Sequence, residues 1–214
     1  MEFVTHQELK TALIHVCDLL IASEPYLTEL DTIIGDGDHG IGMKLGFSEL
    51  RSVLLSQEFT DVYDLTRESG VVLVKTMGGA SGVIFGTLFI GGHDAVEGKD
   101  QINADDLISF FDEGAKTISR RGRSKAGDMT MLDALIPAVD AMKQARLHTS
   151  DVLEIMAAAY EGAKEGVEAT KDMTPKLGRA KNFREKALGY ADPGAVSTSI
   201  IFKGILEGLT NTKN

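Results

Sequence analysis

The chain has 214 residues, of which 43% are hydrophobic and none is tryptophan, and its net charge is -10. This acidic, aromatic-poor composition argues against nucleic acids and anionic membranes as partners, and no segment reaches the ~20 apolar residues of a membrane helix. The N-terminus lacks a signal-peptide pattern and the single cysteine, Cys17, excludes an internal disulfide, so we expect one cytoplasmic domain over 1–214.

Apolar residues recur at helical spacing along nearly the whole chain, without strand-length alternation. The first helix is expected from about Thr5 to Ala22, with Thr5 and Glu8 as a capping box. A loop around 24–25 then leads to Asp31. Further helices are expected to start at or near Gly40, Thr60, Gly79, Asn103, Asp128, Thr149 or Ser150, and Asp192. The prediction is an all-α, antiparallel up-and-down bundle of about eight helices.

Four of these helix starts carry glycine together with acidic or polar residues, at 36–40, 78–82, 127–130 and 192–194. In an up-and-down bundle, the second, fourth, sixth and eighth helices begin at the same end. Helix N-termini offer unpaired N–H groups and a partial positive charge, and glycine lets a phosphate approach the backbone. The pattern therefore predicts one nucleotide site at that end.

Three carboxylates, Asp31, Asp36 and Asp38, lie within eight residues of sequence. Carboxylate oxygens are the ligands that Mg²⁺ prefers, and such close charges repel unless a cation neutralises them. An EF-hand is excluded, because Gly40 and Phe47 stand where that motif needs Asp or Asn and then Glu. A solvated Asp-Gly turn remains the alternative for this segment taken alone.

The remaining motifs have weaker signals. The loop at 78–82 is typical of an anion-binding nest but is not a Walker A loop, because Val83 replaces the lysine; a tight helix–helix turn is the alternative. Thr130 could donate a hydroxyl to phosphate and Met131 could pack on a base. Arg179 lies in a basic stretch that fits a phosphate clamp or a solvated loop. His39 could bond a phosphate oxygen or accept a phosphoryl group.

Together these motifs resemble the nucleotide-binding L subunit of dihydroxyacetone kinases. The resemblance runs in order through 30–40, 78–82, 127–131 and 192–194 and covers essentially the whole chain. That family folds as an antiparallel barrel of eight helices, with the nucleotide at one end, which agrees with the helix count made here.

The resemblance implies that Asp31, Asp36 and Asp38 hold two Mg²⁺ ions at the phosphates of ADP or ATP. The candidate nucleotide contacts come from several loops: His39, Gly40, Ile41, Gly42, Ala80, Ser81, Gly122, Thr130, Met131, Arg179, Asp192, Pro193 and Gly194. Arg179 and His39 are the candidate catalytic residues, with Arg179 offsetting charge on the transferred phosphoryl group.

The resemblance also implies half of a kinase. A separate K subunit would carry dihydroxyacetone, and this chain would deliver the phosphoryl group. A free-standing L chain is more similar to the branch in which bound ADP is recharged by a phosphotransferase-system M subunit than to the ATP-exchanging branch. The alternatives are an ATP-exchanging subunit for another small ketose and a nucleotide-loaded regulatory partner without catalysis. The oligomeric state stays open, a homodimer included.

Overall fold

The computed structural model consists almost entirely of α-helices and describes residues 1–178, 180–182 and 184–212. Its helices are α1 (His6–Ala22), α2 (Glu24–Ile34), α3 (His39–Ser56), α4 (Val62–Thr76), α5 (Gly79–Gly92), α6 (Ala104–Gly122), α7 (Leu132–Arg146), α8 (Val152–Thr170) and α9 (Pro193–Asn211). Short 3-10 segments lie at His93–Val96, Ala180–Asn182 and Arg184–Ala187. Two three-residue strands, β1 (Phe3–Thr5) and β2 (Gln101–Asn103), pair antiparallel. Among the described helices, none has the combined length and apolar character that spanning a membrane requires.

Eight of these helices close into a ring. α1 packs against α3, each later helix packs against the next, and α9 returns to α1. α2 lies outside the ring, against α3 and α9. Large apolar side chains fill the interior, and Phe47, Phe85 and Phe202 are fully buried there. The prediction of an all-α fold with about eight helices is confirmed, and α2 is an addition to it.

Glycines bring neighbouring backbones into direct contact at two places in the ring. A Cβ atom on Gly166 of α8 would lie 2.1 Å from the carbonyl oxygen of Asp133 in α7. A Cβ atom on Gly208 of α9 would lie 2.6 Å from the Cα atom of Ala12 in α1. Any side chain at these positions would push the helices apart, so glycine is what allows this tight packing.

The starts of α1, α4, α6 and α8 meet at one end of the ring, which we call the capped end. β1 and β2 pair there, directly before α1 and α6. The first N–H of α4, on Val62, donates to the Lys99 carbonyl (3.0 Å), and the Met1 amine pairs with Asp151 before α8. Each of these four helix starts has a side-chain cap, contributed by Thr5, Asp61, Asn103 and Asp151 respectively.

The expected loop around 24–25 is wrong, because this segment begins an 11-residue helix, α2. Pro25 stands in its first turn, where the missing N–H group costs no hydrogen bond and the fixed φ suits a helix. Leu27 and Ile34 are fully buried and anchor this helix. A proline that reads as a loop signal is here a helix-start signal, and α2 carries Asp31 in its last turn.

Three predicted helix starts are displaced along the chain. α4 is capped by Asp61 rather than Thr60, because the Asp61 carboxylate accepts the Asp64 N–H at 2.7 Å. α8 is capped by Asp151 rather than by Thr149 or Ser150. α7 begins at Leu132, four residues after Asp128. The short pair β1–β2 was not predicted either, since three residues give no readable alternation.

Candidate functional site

A cavity of about 500 Å³ opens at the end of the ring opposite the capped end, which we call the cavity end. The starts of α3, α5, α7 and α9 and the ends of α2, α4 and α6 form its walls. The predicted site residues that line it are Asp31, Asp36, Asp38, His39, Ile41, Gly42, Ala80, Ser81, Gly122, Thr130, Met131, Asp192, Pro193 and Gly194. The four glycine-bearing segments therefore converge, as the up-and-down arrangement predicts; the binding roles of the individual residues stay predictions.

Three of the four helix starts at the cavity have no side-chain cap. The residues before α3, α5 and α7, which are Asp38, Gly78 and Met131, make no capping hydrogen bond through a side chain. Gly78 and Gly79 both have positive φ, 65° and 57°, a conformation that favours glycine. Other side chains accept the first N–H of two of these helices, since that of His39 in α3 donates to Asp31 Oδ2 (3.1 Å) and that of Leu132 in α7 to Thr130 Oγ1 (3.3 Å). The glycine-rich start of α5 and the positive ends of the helix dipoles are thus the features that can bind an anion at the cavity.

Asp31, Asp36 and Asp38 form a compact group of carboxylates on one wall. One oxygen atom from each lies within 4.8 Å of the other two. Asp31 comes from the last turn of α2, and a Cβ atom on Gly35 would lie 2.0 Å from its Oδ1 atom. That Cβ atom would also lie 2.9 Å from the Asp31 carbonyl oxygen, so this turn favours glycine, and Gly37 continues it with φ 76°. Three hard oxygen donors at this spacing fit a divalent cation such as Mg²⁺.

His39, the first residue of α3, connects this wall to two other helices. Its backbone N–H donates to Asp31 Oδ2 (3.1 Å), its Nε2 lies 2.8 Å from Ser197 Oγ, and its Nδ1 lies 3.4 Å from Ser81 Oγ. Burial lowers the pKa of the imidazole to about 4, although Asp31 and a hydrogen bond to the Pro193 carbonyl favour the charged form. His39 is therefore neutral at pH 7.

Asp192 closes the site from the start of α9. Its carboxylate accepts the Ala195 N–H (2.7 Å), and its own N–H donates to Thr170 Oγ1 (3.0 Å). Burial raises the pKa of the Asp192 carboxyl to about 7, and the nearby Asp133 and Asp31 add to this shift. The predicted capping role of Asp192 is confirmed, and its carboxyl also belongs to the acidic wall of the cavity.

Gly40 lies outside the cavity lining. A Cβ atom at this position would lie 2.3 Å from Thr28 Oγ1 and 2.5 Å from the Glu24 carbonyl oxygen. The close crossing of α2 and α3 therefore explains this glycine without a ligand. Gly42 does line the cavity, and a Cβ atom there would meet nothing closer than the Met77 carbonyl oxygen at 3.7 Å.

The loop before α7 is held by two carboxylates that the sequence did not identify in these roles. Asp133 accepts the N–H groups of Gly127 and Thr130, the latter at 2.8 Å. Asp128, expected to start the helix, instead accepts the Lys125 N–H (3.0 Å) and pairs with Lys176 Nζ (3.1 Å). Burial alone would raise the pKa of Asp128, but these bonds outweigh it and hold that pKa below its usual value.

These contacts place Met129 and Thr130 against the cavity. Met129 has φ 59°, a left-handed conformation that is uncommon for a residue with a side chain. Its side chain is buried with Ile34 and Ala187. Thr130 and Asp133 have the spacing of a capping box, so the pattern Thr-x-x-Asp could have identified Asp133 from the sequence.

The cavity also has a large apolar lining. Its apolar side chains include Leu45, Met77, Ile84, Phe85, Ile118 and Met129. The cavity thus combines carboxylates and helix starts with apolar side chains. A ligand with an anionic, cation-binding part and a flat apolar part matches this combination. Gly178 also lines the cavity, whereas the adjacent Arg179, predicted as a phosphate clamp, lies outside the described residues.

Comparison with known proteins identifies the family. Residues 33–207 match the DAK2 domain. The chain belongs to the DAK2 domain family. It is 37% identical over 193 residues to the ADP-binding subunit DhaL of PEP-dependent dihydroxyacetone kinase 2 from Listeria innocua, covering 89% of each chain. It is 34% identical over 185 residues to the corresponding DhaL subunit from Escherichia coli, covering 86% of this chain and 87% of that one. The predicted resemblance is confirmed, and these relatives are subunits of kinases, which are phosphotransferases.

A solved structure shares the fold of this family member. The dihydroxyacetone kinase of C. freundii, in complex with AMP-PNP and Mg²⁺, matches with a TM-score of 0.74 and 27% identity. The match covers 93% of this chain and 33% of that one. The chain therefore corresponds to about a third of the larger kinase.

Proposed function

We propose that this chain is the ADP-binding subunit of a dihydroxyacetone kinase. It would transfer a phosphoryl group to a ketose held by a separate K subunit, with bound ADP recharged by a phosphotransferase-system M subunit. The kinase subunits from Listeria innocua and Escherichia coli, which are PEP-dependent by name, support this assignment, as does a PTS-dependent one from Lactococcus lactis at 30% identity.

One observation carries the proposal. The three carboxylates, the starts of α3, α5 and α7 and a set of apolar side chains line the same cavity. A nucleoside diphosphate with Mg²⁺ has the complementary parts, since its phosphates need N–H donors, its cation needs oxygen ligands and its base needs apolar contact. The complex of the C. freundii relative with AMP-PNP and Mg²⁺ supports the same ligand class.

Each wall has a distinct task in this proposal. Asp31, Asp36 and Asp38 would hold two Mg²⁺ ions, which neutralise negative charge on the phosphates when bound. The N–H groups at the starts of α3 and α5 would bind phosphate oxygens through the helix dipole. Ile84 and Met131 would pack on the base. Arg179 remains the candidate that offsets charge on the transferred group.

The groups around His39 bear on whether it accepts a phosphoryl group. The imidazole is neutral and both of its nitrogen atoms face serine hydroxyls. We therefore favour a role in holding the phosphate-binding wall together over a covalent phosphohistidine step. Phosphoryl transfer at this site then depends on positioning and charge stabilisation.

Binding of ADP in the presence and absence of Mg²⁺ tests the proposal, measured by calorimetry on the full chain. We expect Mg²⁺-dependent binding that is lost in Asp36→Asn and kept in Asp140→Asn, an exposed aspartate of α7. Turnover of dihydroxyacetone after addition of a K subunit and a phosphoryl donor would separate the kinase from a nucleotide-loaded regulatory protein. Wild-type protein that binds no Mg-ADP would contradict the assignment.

A further inference from the structure

A buried serine on α9 lies behind the cavity wall and does not line the cavity itself. Ser197 is fully buried in the second turn of α9, and its hydroxyl lies 2.8 Å from His39 Nε2. The neighbouring hydroxyls behave differently: Thr198 donates to the Gly194 carbonyl and Ser199 to the Val196 carbonyl, both within α9. Ser197 thus makes a contact across the ring, between residues 158 apart in sequence.

The contact continues to a third helix. His39 Nδ1 faces the hydroxyl of Ser81, the third residue of α5, at 3.4 Å. Ser197, His39 and Ser81 therefore form a chain of polar contacts joining α9, α3 and α5, three of the helices that start at the cavity. A single imidazole sets the spacing between these starts, and its orientation determines where the Ser81 hydroxyl lies.

The two serine hydroxyls have linked roles on the two sides of the ring. A neutral imidazole has one N–H, so one ring nitrogen donates and the other accepts, whereas a serine hydroxyl can do either. The role of the Ser197 hydroxyl at Nε2 therefore sets the role of the Ser81 hydroxyl at Nδ1.

We propose that Ser197 is a positioning residue for the nucleotide site: it fixes the orientation and the tautomer of His39, and through His39 it fixes the Ser81 hydroxyl at the start of α5. This inference rests on the proposed function, because it assigns Ser81 to the phosphate-binding wall. The chain of contacts explains why a hydroxyl that cannot reach the ligand is buried beside a histidine that can.

The test is a ¹⁵N NMR measurement of histidine tautomers at pH 7.5 on the full chain, with His39 signals assigned by their loss in His39→Gln. The wild type should show one predominant tautomer for His39. Ser197→Ala should give a mixture of tautomers and weaken Mg-ADP binding about tenfold, the effect of one lost hydrogen bond. Its helical content by circular dichroism should stay unchanged.

Ser69→Ala is the matched control, because Ser69 is equally buried and its hydroxyl donates to the Leu65 carbonyl within α4. It should leave both the His39 tautomer and the Mg-ADP affinity unchanged. A wild-type His39 that populates both tautomers would overturn the inference even if Ser197→Ala failed to fold. Unchanged tautomer and affinity in a folded Ser197→Ala would also overturn it. Failure of the wild type to bind Mg-ADP would instead count against the proposed function, since the tautomer result does not depend on the ligand.

Discussion

The helices that start at the two ends of the ring differ in how their first N–H groups are satisfied. Every α-helix begins with N–H groups that its own turns cannot satisfy. At the capped end, side chains at the starts of α1, α4, α6 and α8 accept these N–H groups locally. At the cavity end, the residues directly before α3, α5 and α7 make no side-chain cap, and the first N–H groups of α3 and α7 donate to Asp31 and Thr130 instead. The contrast indicates that the capped end is built for stability, whereas the cavity end, above all the start of α5, is built for a ligand.

The largest effect on Mg-ADP affinity is expected from a substitution among the three carboxylates that line the cavity. Asp31→Asn keeps a hydrogen-bond acceptor for the His39 N–H but removes one cation-binding charge. We expect Mg-ADP affinity to fall at least about 100-fold by calorimetry, because the remaining two carboxylates would bind the cation weakly. Asp105→Asn, at an exposed position at the capped end, should leave affinity unchanged. Equal effects of the two changes would remove the functional difference between the ends.

Substitutions at two nearby glycines of α3 test helix packing and nucleotide binding separately. Gly40→Ala would place Cβ 2.5 Å from the Glu24 carbonyl oxygen, so we expect a loss of at least about 2 kcal/mol in unfolding free energy by urea denaturation. Gly42→Ala would place Cβ at an ordinary contact distance of 3.7 Å from the Met77 carbonyl oxygen, so stability should hold. Because Gly42 lines the cavity, this second change should act on nucleotide affinity instead. A stable Gly40→Ala protein would show that α2 does not pack on α3 as described.

The titration of Asp192 makes the stability of the protein depend on pH. Its pKa of about 7 lies above the usual value of 3.8 in an unfolded chain, so the folded state binds more protons between these values. The stability that this carboxyl contributes is complete below about pH 4 and is lost as pH rises through about 7. Asp192→Asn keeps an acceptor for the helix cap and removes this titration. The unfolding free energy of Asp192→Asn relative to wild type should therefore rise by on the order of 4 kcal/mol between pH 4 and pH 8. A pH-independent difference between the two proteins would contradict the assigned shift.

The smallest effect is expected at the capped end. Asn103→Ala removes both the cap of α6 and one half of its capping box with Asp106. The loss in unfolding free energy should be about 1 kcal/mol, the usual worth of an N-cap. Mg-ADP affinity should not change, since α6 reaches the cavity only at its other end, through Ile118 and Gly122. A large loss of affinity in this variant would mean that the two ends are coupled.

The sequence predicts those parts of the site whose residues form short local patterns. The carboxylates at 31–38 and the small residues Ala80 and Ser81 are adjacent in sequence to helix starts, and helix alternation alone brings those starts together. Asp31 was identified although the helix that carries it was not, because Pro25 was read as a loop signal.

The parts that were missed depend on contacts between distant segments. Nothing local to Ser197 shows that it faces His39, because that contact spans the ring. Gly40 appears in sequence as a phosphate glycine, and only the crossing with α2 reveals its packing role. Asp133 differs from these two residues, because its capping-box spacing with Thr130 is readable from the sequence. Asp128 also resembles a helix cap, however, and predicts a helix start four residues too early.

Hydrogen–deuterium exchange on the full chain, with and without Mg-ADP, tests most directly the claim that the helix starts at the cavity end hold the ligand. The account predicts slowed exchange on binding at 39–43, 79–83 and 130–135, with the segments at 6–9, 62–65, 104–107 and 152–155 unchanged. Protection that is equal at both ends, or confined to the capped end, would contradict it.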